Sequence, residues 1–146
     1  MRLQLVVAFA ALAAVAPGLS AGPARAQSFD GTYNATIRCT AFSAEIGAFS
    51  QPMSLKIAGS SVTGERAVGR AGQVGAGGTV ERWTGTVAPD GTMNMRSQSP
   101  SAAAAIDGTF AGRASAEGIS MKGNQTLTTS RSGRMGRECT VTAKRA

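Results

Sequence analysis

TYNATIRC, residues Thr32 to Cys39, alternates with a period of two: Tyr33, Ala35, Ile37 and Cys39 fall on one face, Thr32, Asn34, Thr36 and Arg38 on the other. This is the pattern of a strand with one face against a core. The same alternation closes the chain, where Cys139, Val141 and Ala143 share one face and Thr140, Thr142 and Lys144 the other. Both cysteines are in phase with the apolar side. Laid antiparallel with Cys39 opposite Cys139, the two strands bring Ile37 to Val141 and Ala35 to Ala143. One register thus satisfies a disulfide and a core together.

Working inward from the two ends, six further strands are expected at 52–58, 61–68, 79–88, 91–98, 106–115 and 118–128, each bounded by turn residues. Asp90-Gly91 and Glu117-Gly118 are the clearest hairpin turns, since glycine accepts the positive φ a tight turn demands. A weak repeat, shifted by 27 residues, relates Trp83 to Gly91 with Phe110 to Gly118: an aromatic, a glycine two on, then acid-glycine at the same offset. Helical periodicity is almost absent. Ser101 to Ile106 (SAAAAI), after Pro100, could start a helical turn, and Asp107-Gly108 ends it at once. The expected fold is therefore all-β, an antiparallel up-and-down meander of about eight strands. An even number places the first strand antiparallel to the last, so the sheet can close as a small or flattened barrel; a two-sheet sandwich is the alternative.

Before this domain, Arg2, the apolar run Leu3 to Val15, the helix-breaking Pro17-Gly18 and the small-x-small Ala24-Arg25-Ala26 spell an export signal at 1–26, cleaved after Ala26. The run is well short of the roughly 20 residues that span a bilayer. No later stretch of the sequence is long and apolar enough to cross as a helix. The expected location is periplasmic or secreted, where a disulfide persists. The mature domain, 27–146, has only 24 large apolar side chains in 120 residues. So thin a core approaches the range in which chains fail to collapse, and a covalent closure compensates for it.

Three connections hold content that turns do not explain. Thr40 to Gln51 carries Phe42, Ile46 and Phe49, and is expected to fold back over one barrel end as a plug. Gly69 to Gly78 (GRAGQVGAGG) lacks the Gly-Lys-Ser/Thr ending of a phosphate cradle and reads as a plain loop. Thr129 to Gly136 opens a basic series, Arg131, Arg134 and Arg137, followed at the terminus by Lys144 and Arg145. After signal removal 13 Lys and Arg face 8 Asp and Glu, a net charge of +5. The five residues are a candidate basic surface for an anionic envelope component. With one Trp and one Tyr for base stacking, nucleic acid is not an expected partner.

Catalysis has little to work with. There is no histidine, which removes the usual general base and most zinc and copper sites, and the only two cysteines are committed to the bridge. No lysine follows a serine by three, and Asp90, Asp107 and Glu117 each precede a glycine as turn residues. The expectation is a non-enzyme with no catalytic residue, metal or cofactor. Asn34-Ala-Thr36 and Asn124-Gln-Thr126 fit the glycosylation tripeptide, which also arises often by chance.

Phe29-Asp-Gly-Thr-Tyr33 running to Cys39, and Arg137-Glu-Cys139-Thr-Val141 running to Lys144-Arg145, resemble the ends of small exported bacterial β-rich proteins of uncharacterised function. In outline the chain is also similar to lipocalin-type and avidin-type barrels and to periplasmic barrel inhibitors of metalloproteases. The resemblance implies a barrel and transfers no catalytic residue. One Trp cannot form an avidin-like biotin cage, and no inserting amino terminus of the inhibitor kind extends beyond Gln27-Ser28. Two roles follow. One is binding of a small apolar ligand inside, with Tyr33, Ile37, Trp83, Met93, Met95, Phe110 and Met121 as lining or as plain core. The other is an envelope interaction protein or inhibitor acting through loops and basic face. Amino-terminal sequencing of the exported protein should begin at Gln27; a retained Met1–Ala26 would remove the export expectation.

Overall fold

Strands form wherever the period-two pattern lies between turn residues: Gly31–Cys39 (β1), Phe49–Ala58 (β2), Ser61–Ala67 (β3), Val80–Val87 (β4), Thr92–Ser99 (β5), Ala104–Ser115 (β6), Gly118–Thr129 (β7) and Gly133–Arg145 (β8). The computed structural model describes residues 28–68, 80–99, 104–131 and 133–146. The expected signal at 1–26, the glycine-rich loop at 69–78 and Ser101 to Ala103 lie outside them. Each strand pairs antiparallel with the next and β8 returns to β1, so the sheet is a closed barrel and the sandwich is set aside.

The seam has the register that the cysteine phase required. Cys39 stands opposite Cys139, Ile37 opposite Val141 and Ala35 opposite Ala143. A disulfide joins the two cysteines, whose Cα atoms are 4.1 Å apart. Ile37 and Val141 are fully buried beside it. Closure leaves no free edge for another chain to extend.

Two stretches depart from expectation. Ala104, Ala105 and Ile106 begin β6 rather than a helical turn, because β7 offers them a ladder through Thr129, Thr128 and Leu127. β8 starts at Gly133, six residues before Cys139, so Gly133–Gly136 is strand and not loop. Glycine and arginine are weak strand formers. Here the long partner β7 extends the ladder, pairing Gln125 with Arg137 and Leu127 with Met135.

At the first hairpin turn Pro89 and Asp90 take the centre, and Gly91 follows with φ of 86°. The amide of Gly91 donates to the carbonyl of Ala88 at 2.9 Å, and the Asp90 carboxylate accepts from the amide and hydroxyl of Thr92, both at 2.9 Å. Those bonds hold the Asp90 carboxyl below the usual carboxylate range. A side chain at position 91 would be strained and would meet the carbonyl of Ala114.

The repeat seen in the sequence has a structural counterpart. Trp83 and Phe110 both point inward and meet, ring centroids 4.3 Å apart. Two residues after each comes an inward glycine, Gly85 opposite Met95 and Gly112 opposite Met121. A Cβ at either glycine would meet the methionine Cγ, at 2.7 and 2.8 Å. The small residues therefore leave no space; long neighbours fill it.

Outside, the wall is polar: Thr, Ser, Asn, Lys and Arg alternate with the buried set along β1, β5, β7 and β8. This suits water and is the reverse of a membrane barrel. Replacing both cysteines by serine should cost about 4 to 5 kcal/mol, the chain entropy of a loop of about 100 residues. Urea unfolding of the double variant against wild type measures it, and an unchanged midpoint would show that the seam holds without the bridge.

Candidate functional site

The interior is divided between two chemistries. At the end where β1 begins and β8 finishes, Phe29, Tyr33, Val87, Met93, Ala114 and Ile119 are buried. The Tyr33 hydroxyl donates to the Phe29 carbonyl at 2.7 Å, and the Arg145 guanidinium lies 5.6 Å over the Tyr33 ring. That end is closed and apolar. The middle holds Ile37, Leu55, Trp83, Met95, Phe110 and Met121, all 3 % exposed or less. All seven expected lining residues thus belong to one packed core.

At the other end charge is buried. Arg66 (β3), Glu81 (β4), Gln125 (β7) and Arg137 (β8) are exposed by only 6, 0, 0 and 8 %. Each continues the inward phase of its strand: Arg66 after Val62 and Gly64, Glu81 before Trp83, Gln125 after Met121 and Gly123, Arg137 before Cys139. Period two forces them inside, where an unpaired charge is costly. The Arg66 guanidinium donates through Nε to Glu81 Oε2 at 2.8 Å, pairs with the same oxygen through Nη2, and reaches Gln51 Oε1 through Nη1 at 2.6 Å. Gln125 Nε2 donates to Glu81 Oε1. Arg137 donates through Nε at 3.1 Å and Nη2 at 2.6 Å to Gln125 Oε1.

Arg137 differs from Arg66 in having no carboxylate. Its guanidinium lies 4.0 Å from the Phe42 ring centroid and 4.3 Å from that of Phe49, and Phe49 also packs 4.8 Å from Arg66. Ring quadrupoles supply part of the missing negative charge. Burial first, and then Arg66, push the Arg137 pKa down to about 10, with Glu81 opposing. The cost of keeping Arg137 charged is fully present below about 10 and is relieved only as pH rises through that value. At neutral pH it is a cation.

Arg137 was expected on the surface and is inside; its strand phase with Cys139 and Val141 is the physical reason. The remaining basic residues do not make one face. Arg131 and Arg134 are exposed at the charged end, whereas Lys144 and Arg145 finish β8 at the apolar end, roughly 35 Å away along an extended strand. The expected plug is partly realised: Phe42 and Phe49 are half-buried over Arg137, while Ile46 turns out to solvent at 38 % exposure. Sequence reasoning missed Arg66, Glu81, Gln51 and Gln125, although a polar residue in apolar phase was the available signal.

Glu81 Oε2 accepts both bonds from Arg66 and Oε1 accepts one from Gln125, so three of the carboxylate's roughly four acceptor positions are taken within the cluster. Among the described residues no group of three His, Cys, Asp or Glu could hold a metal ion. Grooves on the outer wall, one of about 720 Å³ bounded by Asn34, Arg113, Ser120 and Lys144, are open to solvent. The cluster carries a surplus of positive charge, two buried guanidiniums against one carboxylate. Comparison with protein-family models, curated proteins and solved structures finds no match to this chain. Replacing Glu81 by Gln would leave two buried guanidiniums without a countercharge. It should cost about 3 to 5 kcal/mol, read as a lower urea midpoint, and a loss under 1 kcal/mol would show that the pair is not a buried ionic link.

Proposed function

We propose that this is an exported, non-enzymatic binding barrel that takes a small ligand at its charged end, the closed apolar end serving as scaffold. The observation that carries this is the burial of one guanidinium more than there are carboxylates, gathered at one end of the barrel beneath two half-buried phenylalanines. Stability does not favour a buried uncompensated cation, and a binding role accounts for it. The apolar part of such a ligand has Phe42 and Phe49 to rest on, since the space around Trp83 and Phe110 is filled by the protein itself.

Export is supported by the order of charge, apolar run and small-x-small residues at 1–26 and by the disulfide, which an oxidising compartment preserves. Exposed Arg131 and Arg134 flank the same end and raise the positive potential there, which draws anions toward it. Native mass spectrometry of the protein purified from its own host's envelope should show a persistent small-molecule adduct. A clean apo mass with glycans or proteins co-purifying would overturn the small-ligand role in favour of docking through the surface.

A further inference from the structure

We propose that Arg137 is the receptor for the carboxylate of a small organic acid with an apolar body, bound at the charged end beside Phe42 and Phe49. This deepens the binding role proposed above and rests on it. Of the five N–H donors of the Arg137 guanidinium, the two bonds recorded both end on the single oxygen Gln125 Oε1. The other three donors, Nη1 included, have no acceptor among the described residues, although the residue is only 8 % exposed; Nη1 keeps contact with solvent, which leaves it open to a ligand. A planar carboxylate matches such a fork and meets two N–H groups at once.

Two independent observations lie in the same row of the barrel. Cross-strand register runs Trp83 to Ser97 to Gly108 to Gln125 to Arg137, over five consecutive strands. In that row Trp83 Nε1 and Ser97 Oγ are buried without a hydrogen-bond partner. Buried polar atoms are seldom left so, and they mark the row that ends at Arg137 as incompletely satisfied. The charge count then selects the kind of anion. Glu81 neutralises Arg66, which leaves one positive charge; a monoanion balances it, whereas a phosphate dianion would bury a surplus negative charge. The half-buried rings of Phe42 and Phe49 are apolar surface at the rim for the rest of the molecule.

The chain has a single tryptophan, so Trp83 gives one indole resonance in a ¹H–¹⁵N spectrum and Arg137 can be followed at Nε. Full-length mature protein is titrated at constant ionic strength with benzoate and with octanoate, with benzamide as the uncharged counterpart, and with inorganic phosphate at pH 8, where it is largely dianionic. At least one carboxylate should shift both resonances saturably. Benzamide and phosphate should bind at least about tenfold more weakly, and Arg137→Gln should lose about tenfold or more in affinity, the scale of a hydrogen bond to a charged group. No saturable response to either carboxylate, an equal response to benzamide, tighter binding of phosphate, or an unchanged Arg137→Gln would each overturn the assignment. Should Arg137→Gln fail to fold, the wild-type titration decides alone. A host-derived adduct that persists while neither carboxylate acts would leave the binding role standing and remove the carboxylate from it.

Discussion

Closure of the sheet between β1 and β8 is the constraint on which everything else in this barrel depends. Because side chains alternate along each strand, pairing Cys39 with Cys139 sets which face of both strands is inside, and the ladders carry that choice around all eight. A slip of one residue at the seam would put Ile37 and Val141 on opposite faces, sending one of them to water and bringing Arg38 or Thr140 to the core. The disulfide resists such a slip covalently, and it does so in a chain whose stock of large apolar side chains is small. A modest core is enough because the inward glycines are filled by methionine, leucine and phenylalanine reaching across from the neighbouring strand.

The same constraint produces the charged end. Once inward phase is set, Arg66, Glu81, Gln125 and Arg137 have no route to solvent through the wall, and must satisfy one another. They do so incompletely: the one carboxylate pairs with Arg66 alone, and for Arg137 an amide and two aromatic rings stand in for the missing anion. A sequence selected for stability alone has cheaper solutions at these positions, since apolar residues of similar volume would pack there at no electrostatic cost. Buried charge at one end and its absence from the interior of the other give the barrel a direction.

Strand number, hairpin positions and seam register were legible in the sequence, because Thr32 to Cys39 and Cys139 to Lys144 carry clean alternation with cysteines in phase. The start of β8 was not, since Gly133, Arg134 and Gly136 have turn chemistry and become strand only through pairing with β7. The basic series misled for a related reason. Arg131, Arg134 and Arg137 recur every three residues and look like one surface stripe, but along a strand a step of three changes face, so Arg134 points out and Arg137 in. The seven residues read as lining or plain core are inside, and the barrel packs them into one core.

By itself the sequence determined the all-β class, the closing register and the pairing of the cysteines, because those follow from local alternation and from the identity of two residues. Tertiary structure alone decided that Glu81 serves Arg66 and leaves Arg137 without a countercharge, and that Phe42 and Phe49 cover the guanidinium that remains. The reason is that phase along a strand says only whether a side chain is inside. Which inside neighbour it meets depends on closing a ring of eight strands, where residues 12 to 44 positions apart in the chain become each other's hydrogen-bond partners.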